Sequence, residues 1–239
     1  MRRHPLIAAA LLALVGAAAA GDPRLGAVDP AAARYTYAVG AFAPEYTPPA
    51  PGSYSLPPIN TVTDHPLLDA DGRSTTLFAV THGRLAVVAF VYTTCIEATG
   101  CPLSLAVLDR VDRAVAADAE LARRATLVTI SFDPERDTPG RMAVVRSFHA
   151  PRSDWRFTTT RSEEDLRPLL ADFDQPVAKL RFDDGTWTGL FRHVLKVFLL
   201  DGRGRVRNVY SVGGSAVVWQ RTPLTLLSAS MRRLHRGAA

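Results

Sequence analysis

Apolar residues run without interruption from Val87 to Val91. Such a run reads as a strand covered on both faces, as in a parallel sheet beneath helices. It breaks at Tyr92-Thr93-Thr94. From Pro102 onward, apolar side chains recur every fourth position at Leu103, Val107, Val111 and Val115, the spacing of a helix with one buried face. Proline suits the first helical position, where the amide it lacks would have no partner. A second apolar run, Ala125–Phe132, predicts another strand. After it, Thr138 is a good N-cap and Pro139 a good first residue for a helix with Met142, Val145 and Phe148 turned inward. Ser162, followed by Glu163, Glu164 and Asp165, predicts a third helix, which Pro168 should interrupt early. Residues 177–191 read as a hairpin turning at Asp184-Gly185. Val194–Leu200 is then a strand, Asp201-Gly202-Arg203-Gly204 a turn and Arg205–Tyr210 the antiparallel partner. Thr222-Pro223 opens a last helix with Leu224, Leu227, Met231 and Leu234 inward. Upstream, Asp71-Gly72 between extended runs is a strong hairpin signal.

The order is therefore β-hairpin, β, α, β, α, a short helix, β-hairpin, α. A parallel βαβ half joined to an antiparallel ββα half is a thioredoxin-like layout. The expected fold is α/β, a central mixed sheet flanked by helices, with an N-terminal β-hairpin extension. This domain is expected over residues 59–236. Residues 21–58 are rich in Ala and Pro and tend toward polyproline II, so they read as an arm or linker. Residues 1–20 read as an export signal peptide: Arg2 and Arg3, an apolar stretch Leu6–Val15, and a small-residue cleavage site at Ala17–Ala20. The stretch is short for a spanning helix, which needs about 20 apolar residues. Uncleaved, it would serve as a membrane tether on the outer face of the inner membrane; cleaved, it leaves a periplasmic or exported protein. No cysteine follows it, which argues against a lipid anchor.

Composition changes little of this. With 47% hydrophobic and 21% charged residues, the 239-residue chain is ordinary globular material, long enough for a large core. Loss of Arg2 and Arg3 would bring the formal charge of +5 to +3. The arginines are scattered among acids, with no stripe interleaved with aromatics, and this excludes nucleic acid as the expected partner.

The chemistry concentrates on two cysteines, Cys95 and Cys101, at the C-terminal end of the first strand, where open α/β sheets place their sites. Cys101 falls at or next to a helix N-cap, where free amides and the helix dipole favour a thiolate. An oxidising compartment allows the pair to cycle between dithiol and disulfide. Three roles stay open: a structural disulfide, redox catalysis by Cys95 and Cys101, or a soft-metal site. The five-residue spacing alone does not choose among them. Two thiolates fall short of a structural zinc site unless His or carboxylate completes it. His193 directly precedes the predicted strand Val194–Leu200, whose start would face the cysteine loop in a thioredoxin-like sheet. Two thiolates and one imidazole make a soft site suited to copper. Asp133 and Asp137, at the end of the neighbouring strand, are candidates to orient His193 or the loop from behind, or simply to cap and turn the chain. His65, His82 and His149 have weaker claims, and His4 and His235 lie in the leader and tail.

Three stretches carry a family resemblance: FVYTTC…CPLSL at 90–105, TISFDPERDTPGRM at 129–142 and FRHVLKVFLLDGRGRV at 191–206. Together with the strand and turn pattern over about residues 55–235, the chain resembles the Sco/SenC family of thioredoxin-like copper proteins. The resemblance implies a copper ion held by Cys95, Cys101 and His193. It also implies a metallochaperone that serves a copper-receiving oxidase subunit of the subunit II type, or another periplasmic copper protein. A thiol–disulfide oxidoreductase acting through Cys95 and Cys101 is the alternative. The family pattern has three residues between its cysteines, whereas this chain has five, Ile96–Gly100, with Gly100 able to turn the loop back. Glu97 lies within that insertion. Arg192 precedes the histidine and should point away from it, since neighbours on an extended segment face opposite ways.

Overall fold

The computed structural model describes residues 53, 55–97, 100–211 and 230–231. The expected leader, most of the arm and, apart from Ser230 and Met231, the expected last helix lie outside the described residues. Within them the elements are β1 (Asn60–Thr61), β2 (Pro66–Asp69), β3 (Ser74–Thr76), α1 (Leu77–Thr81), β4 (Leu85–Val91), α2 (Cys101–Ala116) and α3 (Ala119–Arg124). They continue as β5 (Ala125–Ser131), α4 (Pro139–His149), β6 (Trp155–Thr159), α5 (Glu163–Asp172), β7 (Val177–Arg181), β8 (Trp187–His193), β9 (Lys196–Leu200) and β10 (Arg205–Ser211).

Among the described residues, eight strands form one sheet in the order β1-β10-β9-β4-β5-β6-β2-β3, and β7–β8 is a separate two-stranded ribbon. The strands β4, β5 and β6 run parallel, while β9 returns antiparallel beside β4 and β10 beside β9. Every residue of β4 and β5 is buried, which is why β4 reads as an unbroken apolar run and β5 as one interrupted only by small hydroxyl residues. The buried hydroxyls of β5 are paired: Thr129 accepts from the Trp155 indole at 2.9 Å, and Ser131 donates to Asp137 at 2.6 Å. On α2 the buried face is Val107, Leu108, Val111 and Val115. Asp112 on the same helix is buried too, and accepts from the Arg152 and Ser153 amides at 2.9 and 2.8 Å, tying α2 to the turn before β6.

The expected mixed sheet and flanking helices are therefore present, with several corrections. The Asp71-Gly72 hairpin forms as β2–β3 as expected, and β2 pairs with β6, so the hairpin extends the main sheet. Strand β6 was not anticipated, because its five residues carry an exposed Arg156 and give too short a pattern to read. Helix α5 runs through Pro168 to Asp172. The missing amide removes one backbone bond, while the Ser162 cap at 3.2 Å and the buried Leu166 and Leu169 hold the helix. On α4, Met142 is buried as expected, but Phe148 is 85% exposed. The strand expected at Val194 begins at Lys196, and His193 instead ends β8. At the end of the sheet away from the cysteines, a Cβ on Gly202 would come within 2.1 Å of the Gly83 carbonyl oxygen, so these two turns meet at glycine contact.

Candidate metal centre

Three chain segments converge at the C-terminal edge of β4. The first is the loop leaving β4, turned by a 3.4 Å bond from the Cys95 amide to the Tyr92 carbonyl. Its turn is held from below by Asp137, which is buried and accepts from the Thr93 amide at 2.9 Å, from the Thr93 hydroxyl and from Ser131. The second is the start of α2. Gly100 is the N-cap, Cys101 the first helical residue and Pro102 the second. The Gly100 amide donates to the Glu97 carbonyl at 2.8 Å, and a Cβ at position 100 would sit 2.8 Å from the Cys95 sulfur. Only a residue without a side chain lets the loop fold back so tightly that Cys95 Sγ also accepts from the Cys101 amide at 3.4 Å.

The third segment is the end of β8. His193 Nδ1 lies 3.3 Å from the Phe191 carbonyl, which can only accept, so Nδ1 carries the proton and Nε2 is left free. That Nε2 lies 3.6 Å from Cys101 Sγ. The imidazole packs against Tyr92 and Phe132 at centroid distances of 5.5 and 5.3 Å, and Phe191 packs against the same two rings. One donor atom from each of Cys95, Cys101 and His193 lies within 4.8 Å of the other two. Both cysteines are free thiols; Cys95 is half-buried and Cys101 buried.

Electrostatics at the site departs from expectation in one respect. The helix N-terminus should favour a Cys101 thiolate, but burial dominates and pushes this thiol up. The Tyr92 amide, 3.4 Å from the sulfur, opposes the shift, and Cys95 adds to it. Burial likewise raises the Tyr92 phenol, with Cys95 as the next cause. Asp133 is buried, with one carboxylate oxygen unpartnered, and is pushed up to about 6, first by burial and then by Asp137.

Of the residues marked in the sequence, Cys95, Cys101 and His193 are brought together. Asp137 reaches the cysteine loop rather than the histidine, and Asp133 keeps to its own turn, with Arg136 3.9 Å away. Glu97 is exposed, as is Arg192, which faces away from the site as expected. His65 is held by Asp172 at 2.8 Å and His149 by Asp109 at 3.0 Å. Spacing gave no sign of the aromatic seat of Tyr92, Phe132 and Phe191, or of Gln175, whose buried side chain donates to the Val194 carbonyl at 2.8 Å. An open groove of about 440 Å³ runs beside the sulfurs, lined by Cys95, Cys101, Leu105, Arg141, Val144 and Phe148 among others.

Three thiol and imidazole donors at this separation match soft first-row metals, Cu(I) above all. A structural zinc site wants four ligands, and the cluster offers three.

Comparison with known proteins bears on this. A family model described as SCO1/SenC matches residues 55–219. Comparison with curated proteins gives no match. Among solved structures, a SCO1/SenC family lipoprotein from Bacillus anthracis is similar at 24% identity and a TM-score of 0.60, over 74% of this chain and 97% of that one. Bradyrhizobium japonicum ScoI, solved with copper bound, is similar at 23% identity and a TM-score of 0.54, over 74% of this chain and 98% of its own. BsSco, described as a member of the Sco family of cytochrome c oxidase assembly proteins with a disulfide switch, matches at 20% identity and a TM-score of 0.57, over 75% and 96% of the two chains. These likenesses give the fold: it is the thioredoxin-like fold of the Sco structures.

Proposed function

The chain belongs to the SCO1/SenC family, and on that footing we propose that it binds copper through Cys95, Cys101 and His193 and passes it to a respiratory-oxidase copper centre. The observation that carries this reading is the convergence of two thiol sulfurs and one imidazole nitrogen within 4.8 Å. Copper is the cargo. Cys95 and Cys101 supply soft thiolates, and His193 presents an unprotonated Nε2 because Phe191 holds the proton on Nδ1. Asp137 acts behind the ligands by fixing the Thr93 turn, and Asp133 sits in the same loop without touching the donors. The groove beside the sulfurs is the approach for the recipient: a copper-receiving subunit of the subunit II type, or another periplasmic copper protein. The protein is exported, and residues 1–20 either direct it to the periplasm or tether it there.

A second use of the same pair is reduction of a client disulfide. It is favoured by the unequal exposure of the sulfurs, half-buried Cys95 as attacking thiol and buried Cys101 as resolving thiol. In that reaction Cys95 Sγ attacks the client disulfide and releases one client thiolate. Cys101 then displaces the other, so the pair gives up two electrons and two protons as it closes its own disulfide.

The deciding experiment is copper binding by the reduced protein. Wild type should bind equimolar copper, and Cys95→Ala, Cys101→Ala and His193→Ala should each weaken it at least about tenfold. His193→Ala should melt as wild type does, since its half-buried ring leaves no closed cavity. Copper held as tightly without His193 would remove the histidine from the ligand set. Turnover of a model disulfide by metal-free protein, with no copper affinity, would favour the second use.

A further inference from the structure

The ribbon that carries His193 has no strand pairing to the main sheet, so apart from the short link to β9, side chains locate it against the cysteine loop. Two of those side chains, Glu135 and Arg136, come from the Asp133–Pro139 turn. Glu135, from this turn, pairs with Lys179 on β7, which also pairs with Glu163. Arg136 reaches β8 itself. Its Nη1 donates to the Gly189 carbonyl at 2.8 Å, and its guanidinium lies 4.0 Å from the centre of the Trp187 ring. Trp187 packs on Phe191 at 5.3 Å, and Phe191 and His193 both pack on Tyr92 and Phe132. The β7–β8 register shifts between Trp187 and Phe191, so the arginine reaches the imidazole's surroundings through these rings. Gly189 completes the fit. It adopts φ +85°, and a Cβ there would come 3.2 Å from Arg136 Nη2.

Resting on the copper reading, we propose that Arg136 is a positioning residue for the metal centre: it seats β8 so that His193 Nε2 stands over Cys101. A guanidinium does this where an ammonium would not, because its plane lies on the indole while its edge holds a carbonyl. Lys179 pairs with Glu135 and Glu163 and stands 4.5 Å from the centre of the same Trp187 ring, so loss of Arg136 should displace β8 without unfolding the ribbon.

The test compares Arg136→Ala, Arg136→Lys and Gly189→Ala with His193→Ala in the reduced full chain. In metal-free protein, amide hydrogen exchange over residues 187–193 should quicken at least tenfold in Arg136→Ala and Gly189→Ala, with the global melting temperature little changed. Arg136→Lys should recover part of this. With Cu(II) bound, the nitrogen signature of the imidazole should weaken in the electron paramagnetic resonance spectrum. Copper affinity should fall in the direction of His193→Ala, and Arg136→Ala should have no further effect in a His193→Ala background. Wild-type exchange in both Arg136→Ala and Gly189→Ala overturns the proposal. So does faster exchange with unchanged affinity and spectrum, provided His193→Ala lowers both. If His193→Ala itself leaves copper binding untouched, the ligand reading falls instead, and the exchange rates alone decide whether Arg136 seats the strand.

Discussion

The sulfur of Cys101 stands 3.6 Å from Nε2 of His193, a residue 92 positions further along the chain. A short helix-opening segment and the end of an independent ribbon thus present their donors to each other.

Oxidation should empty the site. Thiolates bind copper, whereas a disulfide sulfur is a very poor ligand. The two sulfurs lie within 4.8 Å of each other on one short loop, which must draw them together to close a disulfide. Titration with oxidised and reduced glutathione should show copper content falling as free thiols disappear, and bound copper should slow thiol loss. Equal copper in fully oxidised and fully reduced protein would place the metal elsewhere.

Copper loading should strengthen with pH. Burial holds the Cys101 proton on well above the ordinary thiol value, so a copper ion must displace it. Each proton released raises the apparent affinity about tenfold per pH unit. Competition with a chelator between pH 6 and 8, corrected for the chelator's own protonation, should show at least this slope. A flat profile would mean that the buried sulfur enters the site already ionised.

Asp133→Asn should stabilise the protein at neutral pH and not in acid. The folded-state value of about 6 lies above the ordinary 3.8, so the native state binds this proton more tightly than the unfolded chain. Through this group, stability falls as pH rises from about 4 to 6 and stays lowered above that. Removing the charge should recover roughly 1–3 kcal/mol at pH 7. Thermal melts at pH 4 and pH 7 are the measurement, and an equal effect at both would contradict the assignment.

Asp137→Ala should destabilise by about 2–4 kcal/mol, because the Thr93 amide and hydroxyl and the Ser131 hydroxyl lose a common buried acceptor. Copper affinity should fall with it, since the Thr93 turn sets the position of Cys95. Chemical denaturation and copper competition on one preparation would separate the two effects.

The core of this architecture was legible because its strands are covered on both faces. Val87–Val91 and Ala125–Phe132 have no exposed position to interrupt the pattern, and Thr138-Pro139 announces a helix start that the Thr138 cap realises. The three donors were legible because the strand order places their segments at one edge. Short elements were not. Five residues of β6 with an exposed Arg156 second among them, or five of α1, hold too few periods to register. Phe148 misled for a different reason: it keeps the helical spacing of Met142 and Val145, yet that face reaches the rim of the groove and ends in solvent. Gln175 and Arg136 act through a carbonyl each, at Val194 and Gly189, and the partner of a backbone oxygen leaves no mark in side-chain spacing.

The separate two-stranded ribbon would set the order of events in the proposed copper hand-over. Copper on three donors is exchanged associatively: an incoming ligand adds before an old one departs. Cys95 and Cys101 lie on one short loop, tied at β4 and at α2, so neither can retreat far. His193 ends a ribbon that has no strand pairing to the main sheet and is joined to β9 only through Val194 and Leu195. In the proposed hand-over a recipient ligand would therefore add first and then displace the imidazole, while the two sulfurs still hold the ion.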